Sequence, residues 1–209
     1  MLASIQDKLE STYQISCPFS VDEFLLDESH RAEFLAKVPW LSDSQEALLV
    51  EQEEEDLHVG LFFDAKLLAW SRRQDWTTGV MADLRNVGPL VEGVSHFVYL
   101  TWRAGQDQPV TQLELELQGE VDKFILLSQE GSVEGSHRVF QGLFQDVSWL
   151  KTLDPEETNR YETALKLASQ YCHFLKDRFF GLNRHKALFP EIRSFYRMSQ
   201  SEKIRHIQA

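Results

Sequence analysis

The chain has 209 residues, 43% of them hydrophobic and 26% charged, which excludes wholesale disorder and allows a sizeable core. Ten Gly and six Pro exclude collagen-like and Pro-rich classes. Thirty-three acids against 21 Lys and Arg give a net charge of −12, which opposes nonspecific binding to nucleic acid or anionic lipid.

Ile5 and Leu9 share a face and predict a short amphipathic helix over 3–13. Ser20-Val-Asp-Glu23 fits a capping box, so a helix is expected from there to near Lys37, where Pro39 stops it. Residues 47–52 and 57–63 flank Glu53-Glu54-Glu55-Asp56 and read as a β-hairpin with an acidic loop. A helix from Ser42 is the rival reading. Asp64 caps a short helix over 65–72. Pro89 suits the first turn of a helix reaching about Arg103, although the β-branched and aromatic residues of 94–102 also fit a strand.

Thr111-Gln-Leu-Glu114 is a second capping box, and Leu113, Leu117, Val121 and Phe124 carry that helix to about Ser128. Residues 131–135 read as a loop, and 137–150 are ambiguous. Asp154-Pro-Glu-Glu157 starts a long helix that Gly181 ends. A further helix is expected from Pro190, with Ser201 restarting it toward Ile207. The fold class is therefore mainly α, with α+β as the variant. We expect an antiparallel helical layer or bundle with one small β-hairpin, in a single domain over 1–209.

Cys17 and Cys172 are far apart and form no CxxC, which points to free thiols in a reducing compartment. No basic n-region precedes an apolar stretch, and no window reaches 18 apolar residues. A cytoplasmic location is expected. GxSxG, Walker A and GxGxxG motifs are absent.

Chemistry is most concentrated at Glu92 and His96, spaced i,i+4 on one predicted helix, with Glu116 and Glu120 spaced likewise on the next. If the two helices face each other, three carboxylates and an imidazole converge as ligands for zinc, iron or manganese. The plainer reading makes Glu92, Ser95, His96, Tyr99 and Arg103 the solvent face of an apolar helix. Glu114, Glu120 and Lys123 are then ordinary surface. On that reading the protein is an interaction or accessory protein without catalysis or cofactor, partnered by another protein or by itself.

Trp76, in a stretch without period, is the expected exposed contact residue. Residues 178–209 hold seven bases against two acids, a net of +5 beside −17 for residues 1–177. Arg184, Lys186, Arg193 and Arg197 lie among aromatics there, which allows a protein interface or, against the net charge, weak RNA or single-stranded nucleic acid binding. The metal-dependent enzyme, a hydrolase or oxidoreductase, is the main alternative to the interaction protein.

Overall fold

The computed structural model describes residues 1–37, 44–53, 56–74, 83–128, 133–145, 155–180 and 185–209. Along the chain come α1 (Leu2–Tyr13), a 3-10 turn (Val21–Phe24), α2 (Glu28–Lys37), β1 (Glu46–Glu53), β2 (Asp56–Phe63) and α3 (Ala65–Ser71). There follow α4 (Leu84–Ala104), α5 (Gln112–Ser128), α6 (Val133–Phe144) and α7 (Pro155–Leu175), which runs into a π-helical turn (Lys176–Phe180). The last elements are α8 (His185–Arg197) and α9 (Gln200–Gln208). The result is a mainly helical fold with one small antiparallel hairpin, and the disputed segment 94–103 is helix.

Helices α4 and α5 are the centre. Their contacts run in opposite chain directions, Glu92 to Lys123, Ser95 to Asp122 and Tyr99 to Glu114, so the pair is antiparallel. Helix α1 and the hairpin pack on α4, while α6 and α7 pack on α5. Leu90, Val91, Val94, Phe97 and Val98 of α4 are all fully buried, too wide a stripe for a surface helix. One apolar cluster joins them to Ile5 and Leu9 of α1, to Phe124 and Ile125 of α5, and to Tyr171, Phe180 and Phe195. Each such side chain contributes about 1.5–3 kcal/mol on burial.

Several boundaries differ from expectation. Ser20 makes no side-chain cap, and only a 3-10 turn follows it. The chain at Leu25 and Leu26 instead joins the free edge of β2, where Leu26 N–H donates to the Leu61 carbonyl at 3.0 Å. Helix α2 then starts late, with Asp27 accepting from His30 N–H at 2.9 Å. Pro89 is not at a helix start: Asp83 caps α4, and the proline lies inside it, as Pro190 lies inside α8. Each proline removes one N–H from a helix that tertiary packing already holds. Helix α6 takes in Val133, Glu134 and Gly135, which read as loop, because Val139 and Phe140 give it a buried face. The final helix begins after Ser199, whose box with Glu202 replaces the expected restart at Ser201. The Asp64 cap is as read, its carboxylate accepting from Lys66 and Leu67 N–H at 2.8 and 3.2 Å. The Asp154 cap lies outside the described residues, although Pro155 does open α7. Cys17 and Cys172 are both free thiols.

Register decides what the hairpin brings inward. Glu46 stands opposite Phe63, and Leu48 opposite Leu61. Directly paired residues share a face of the sheet. Phe63 and Leu61 are buried at 1% and 0%, so the same face turns Glu46 toward α4.

Candidate metal centre

The polar stripe of α4 is not a solvent face. Ser95, His96, Tyr99 and Arg103 are all at most 5% exposed, and the Glu92 side chain is at 18%. The stripe meets a matching polar stripe on α5, where Glu114, Glu116, Gln118, Asp122 and Lys123 are also buried. The plainer sequence reading fails because a single helix does not reveal that its neighbour carries polar groups at the facing positions.

The seam has two halves. In one, Asp122 accepts from Ser95 Oγ at 2.5 Å, from Gln118 Nε2 at 2.8 Å and from the Tyr13 hydroxyl. Lys203 of α9 is fully buried and donates to Tyr99 Oη at 2.7 Å and Gln118 Oε1 at 2.9 Å, with Glu114 at 3.7 Å. Tyr99 donates to Glu114 at 2.5 Å. Burial pushes Asp122 up to about 6 and Lys203 down to about 7. Among these groups only Arg103 Nε is buried without a hydrogen-bond partner among the described residues.

The other half differs. Glu92, His96 and Glu116 each offer one ligand atom, and all three atoms lie within 4.8 Å of one another. His96 is 5% exposed, and its Nε2 has no hydrogen-bond partner among the described residues, Glu116 Oε2 being 3.8 Å away. The Leu115 backbone lies beside the imidazole and favours its charged form, against burial. Glu46 Oε2, brought in by β1, is likewise buried without a partner among the described residues. Glu120, the fourth residue of the sequence set, is turned to Lys123, whose Nζ donates to Glu120 Oε1 and Glu92 Oε2 at 2.8 Å each.

Two glycines make the space. A Cβ on Gly119 of α5 would stand 2.9 Å from His96 Nε2, and one on Gly93 of α4 would stand 3.0 Å from Glu46 Oε2 and 2.8 Å from the Phe63 ring. Glycine inside a helix costs about 1 kcal/mol relative to alanine. Here it admits an imidazole and a carboxylate between backbones.

Electrostatically the cluster is short of positive charge. Burial, then the Glu92 carboxylate, pushes Glu116 up to about 8. Burial also raises Glu46 and Glu120. Burial acts against the Glu92 charge too, but Lys123 and His96 hold that carboxyl below its usual range. Burial lowers His96, while the Glu92 carboxylate opposes that shift. Arg160 and Tyr161 of α7 flank the group, with the guanidinium over the tyrosine ring at 5.4 Å.

An open cleft of about 280 Å³ adjoins the carboxylates. Glu92, Glu116, Glu120, Lys123 and Tyr161 line it beside an apolar wall that includes Leu84, Pro89, Leu143 and Leu165. Of the groups gathered here, the sequence leaves Glu46 and Arg160 unmarked, and Lys123 reads there as surface. The two mid-helix glycines are the signal that marks a close approach.

The basic end is largely engaged within the fold. Arg193 Nε donates to the Thr12 carbonyl at 2.7 Å, and Arg197 Nη2 to the Tyr13 and Gln14 carbonyls at 3.0 and 3.1 Å. The two arginines thus close the C-terminus of α1. Lys186 is exposed, while Arg184 and Trp76 lie outside the described residues. Among the described residues no helix is long and apolar enough to cross a membrane. No family model matches the chain, and neither curated proteins nor solved structures show a significant match.

Proposed function

We propose that this protein is a metal-dependent enzyme whose ion is held between α4 and α5 by Glu92, His96 and Glu116. The carrying observation is the buried His96, whose Nε2 has no hydrogen-bond partner among the described residues and lies 3.8 Å from Glu116 Oε2, in a trio with Glu92 whose ligand atoms all lie within 4.8 Å of one another. A buried polar atom left without a partner costs about 1–3 kcal/mol, which a bound cation removes. The donor set is rich in oxygen and contains no thiolate, which suits manganese(II) or iron(II) first and zinc(II) after them.

The cleft supports a catalytic rather than a purely structural role, because catalytic sites keep one side open while structural sites close it. When bound, the ion supplies Lewis acidity for a hydrolase or electron transfer for an oxidoreductase. The chain's own groups do the rest. Lys123 holds the Glu92 carboxylate in place, and Tyr161 borders the cleft. The apolar wall limits water around a small substrate.

The test is metal content of protein purified without an affinity tag, with melting temperature measured on adding manganese(II), iron(II) or zinc(II). One ion per chain is expected, with loss of the ion in Glu92→Gln and in His96→Ala. At a hundredfold excess over Kd the ion adds about 2.7 kcal/mol of stability. Substoichiometric metal together with no thermal shift from any of the three ions would refute the proposal. The interaction reading retains one observation: Val50 and Leu57, near the hairpin tip, are 47% and 38% exposed.

A further inference from the structure

Lys123 occupies an unusual place for a lysine. Its side chain is 10% exposed, and its Nζ lies 2.8 Å from one oxygen of Glu92 and 2.8 Å from one of Glu120. Those two carboxylates come from different helices, and Glu92 also belongs to the trio with His96 and Glu116. Glu92 therefore faces two cation positions, one bounded by His96 and Glu116 and one filled by the ammonium. Carboxylates shared in this way bridge the two ions of dinuclear sites built between helices. A lysine ammonium is a compact unit point charge, and it fills such a position without adding a ligand.

Resting on the metal reading above, we infer that Lys123 is a built-in second cation, so that the centre holds one metal ion where its carboxylates are otherwise arranged for two. The charge count agrees. Glu46, Glu92, Glu116 and Glu120 are four carboxylates in one buried group, and Lys123 is the cation hydrogen-bonded within it. One divalent ion, this ammonium and the flanking Arg160 guanidinium balance them. Without the ammonium, the Glu92 and Glu120 oxygens that it engaged are left facing a vacated position between α4 and α5. The assignment also separates the glutamates by role. Glu92 and Glu116 face the ion, whereas Glu120 serves the lysine. The chemistry implied is that of a single ion, without a second metal to share an oxidising equivalent or clamp a substrate from the far side.

The experiment counts ions. Wild-type protein is stripped with a chelator, reloaded with manganese(II) alone, and analysed by equilibrium dialysis with elemental analysis and by electron paramagnetic resonance. One manganese per chain is expected, with the spectrum of an isolated ion. Lys123→Glu supplies a carboxylate in place of the ammonium and is expected to take two, with an exchange-coupled spectrum. Lys123→Ala, which adds no charge and leaves room, is expected to take a second, weaker ion. Glu120→Gln is expected to keep one ion with affinity changed less than about threefold, because Glu120 is not a ligand. Two ions in the wild type overturn the inference, as does loss of the ion in Glu120→Gln. A single ion in whichever Lys123 variant folds also overturns it. Both counts in the wild type and in Glu120→Gln stand even if neither Lys123 variant folds. No ion in the wild type removes the metal reading itself, and is thereby distinguishable from failure of the lysine assignment alone.

Discussion

Adding one methyl group at Gly119 probes the centre at the scale of a single atom. The new Cβ would stand 2.9 Å from His96 Nε2, 3.3 Å from its Cδ2 and 3.6 Å from Glu92 Cγ. In free space a glycine-to-alanine change in a helix stabilises by about 0.4–1 kcal/mol. Crowding a packed interior costs about 1–3 kcal/mol. The imidazole cannot swing away cheaply, since it is buried between the two helices at 5% exposed. Crowding therefore wins, and Gly119→Ala is expected to lose roughly 1 kcal/mol net. Gly88→Ala on the facing helix is the control, because its Cβ meets only Lys123 Cδ at 3.9 Å. That variant should gain about 0.4–1 kcal/mol. Urea titrations of the metal-free proteins measure both. Manganese(II) binding is expected to weaken about 10–100-fold in Gly119→Ala, the loss typical when a ligand's supporting geometry is disturbed. A Gly119→Ala protein as stabilised as Gly88→Ala, with unchanged manganese affinity, would refute the close approach of α5 to His96.

Asp64→Ala should cost about 1 kcal/mol in chemical denaturation by removing the cap of α3, and an unchanged midpoint would argue against that cap. Lys203 releases its proton near pH 7 in the folded protein, against 10.5 ordinarily, so the unfolded chain binds more protons between these values. Stability should therefore rise with pH across that window, and the Lys203 part of the slope should vanish in Lys203→Met; an identical slope in the variant would refute the assignment. Arg193→Gln should destabilise by about 1–2 kcal/mol through its charged hydrogen bond to the Thr12 carbonyl. Hydrogen exchange should then accelerate at the C-terminal turn of α1, and protection unchanged there would count against the arginine clasp.

What can be read from the sequence follows the range of the interaction. The Asp64 cap reaches Leu67, and the Thr111 hydroxyl accepts from the Glu114 N–H, so both caps are local and legible. The Ser20 box is not decisive, because the free edge of β2 takes the backbone at Leu26 through Leu61, a residue distant along the chain. The i,i+4 pairs Glu92/His96 and Glu116/Glu120 are visible as pairs. Their setting is not, because whether α4 and α5 turn polar or apolar stripes to each other depends on both helices at once. Glu46 is invisible for a related reason: only the pairing with Phe63 sets the face of β1 on which it lies. Lys123 reads as surface because an i,i+3 partner, Glu120, is the usual company of an exposed lysine.

The Asp122–Lys203 half of the α4–α5 seam also governs which alternative packings the chain can adopt. Two purely apolar helices can slide past one another by a turn, about 5.4 Å, and still bury greasy surface. Here such a slip would part Ser95 from Asp122, Tyr99 from Glu114, and Lys203 from Tyr99 and Gln118 at one stroke. Each stranded neutral group would lose about 1–3 kcal/mol, and the charged ones more. The seam thus works as a ratchet with a single tooth position: it adds little to the depth of the native well, but it makes the neighbouring wells shallow.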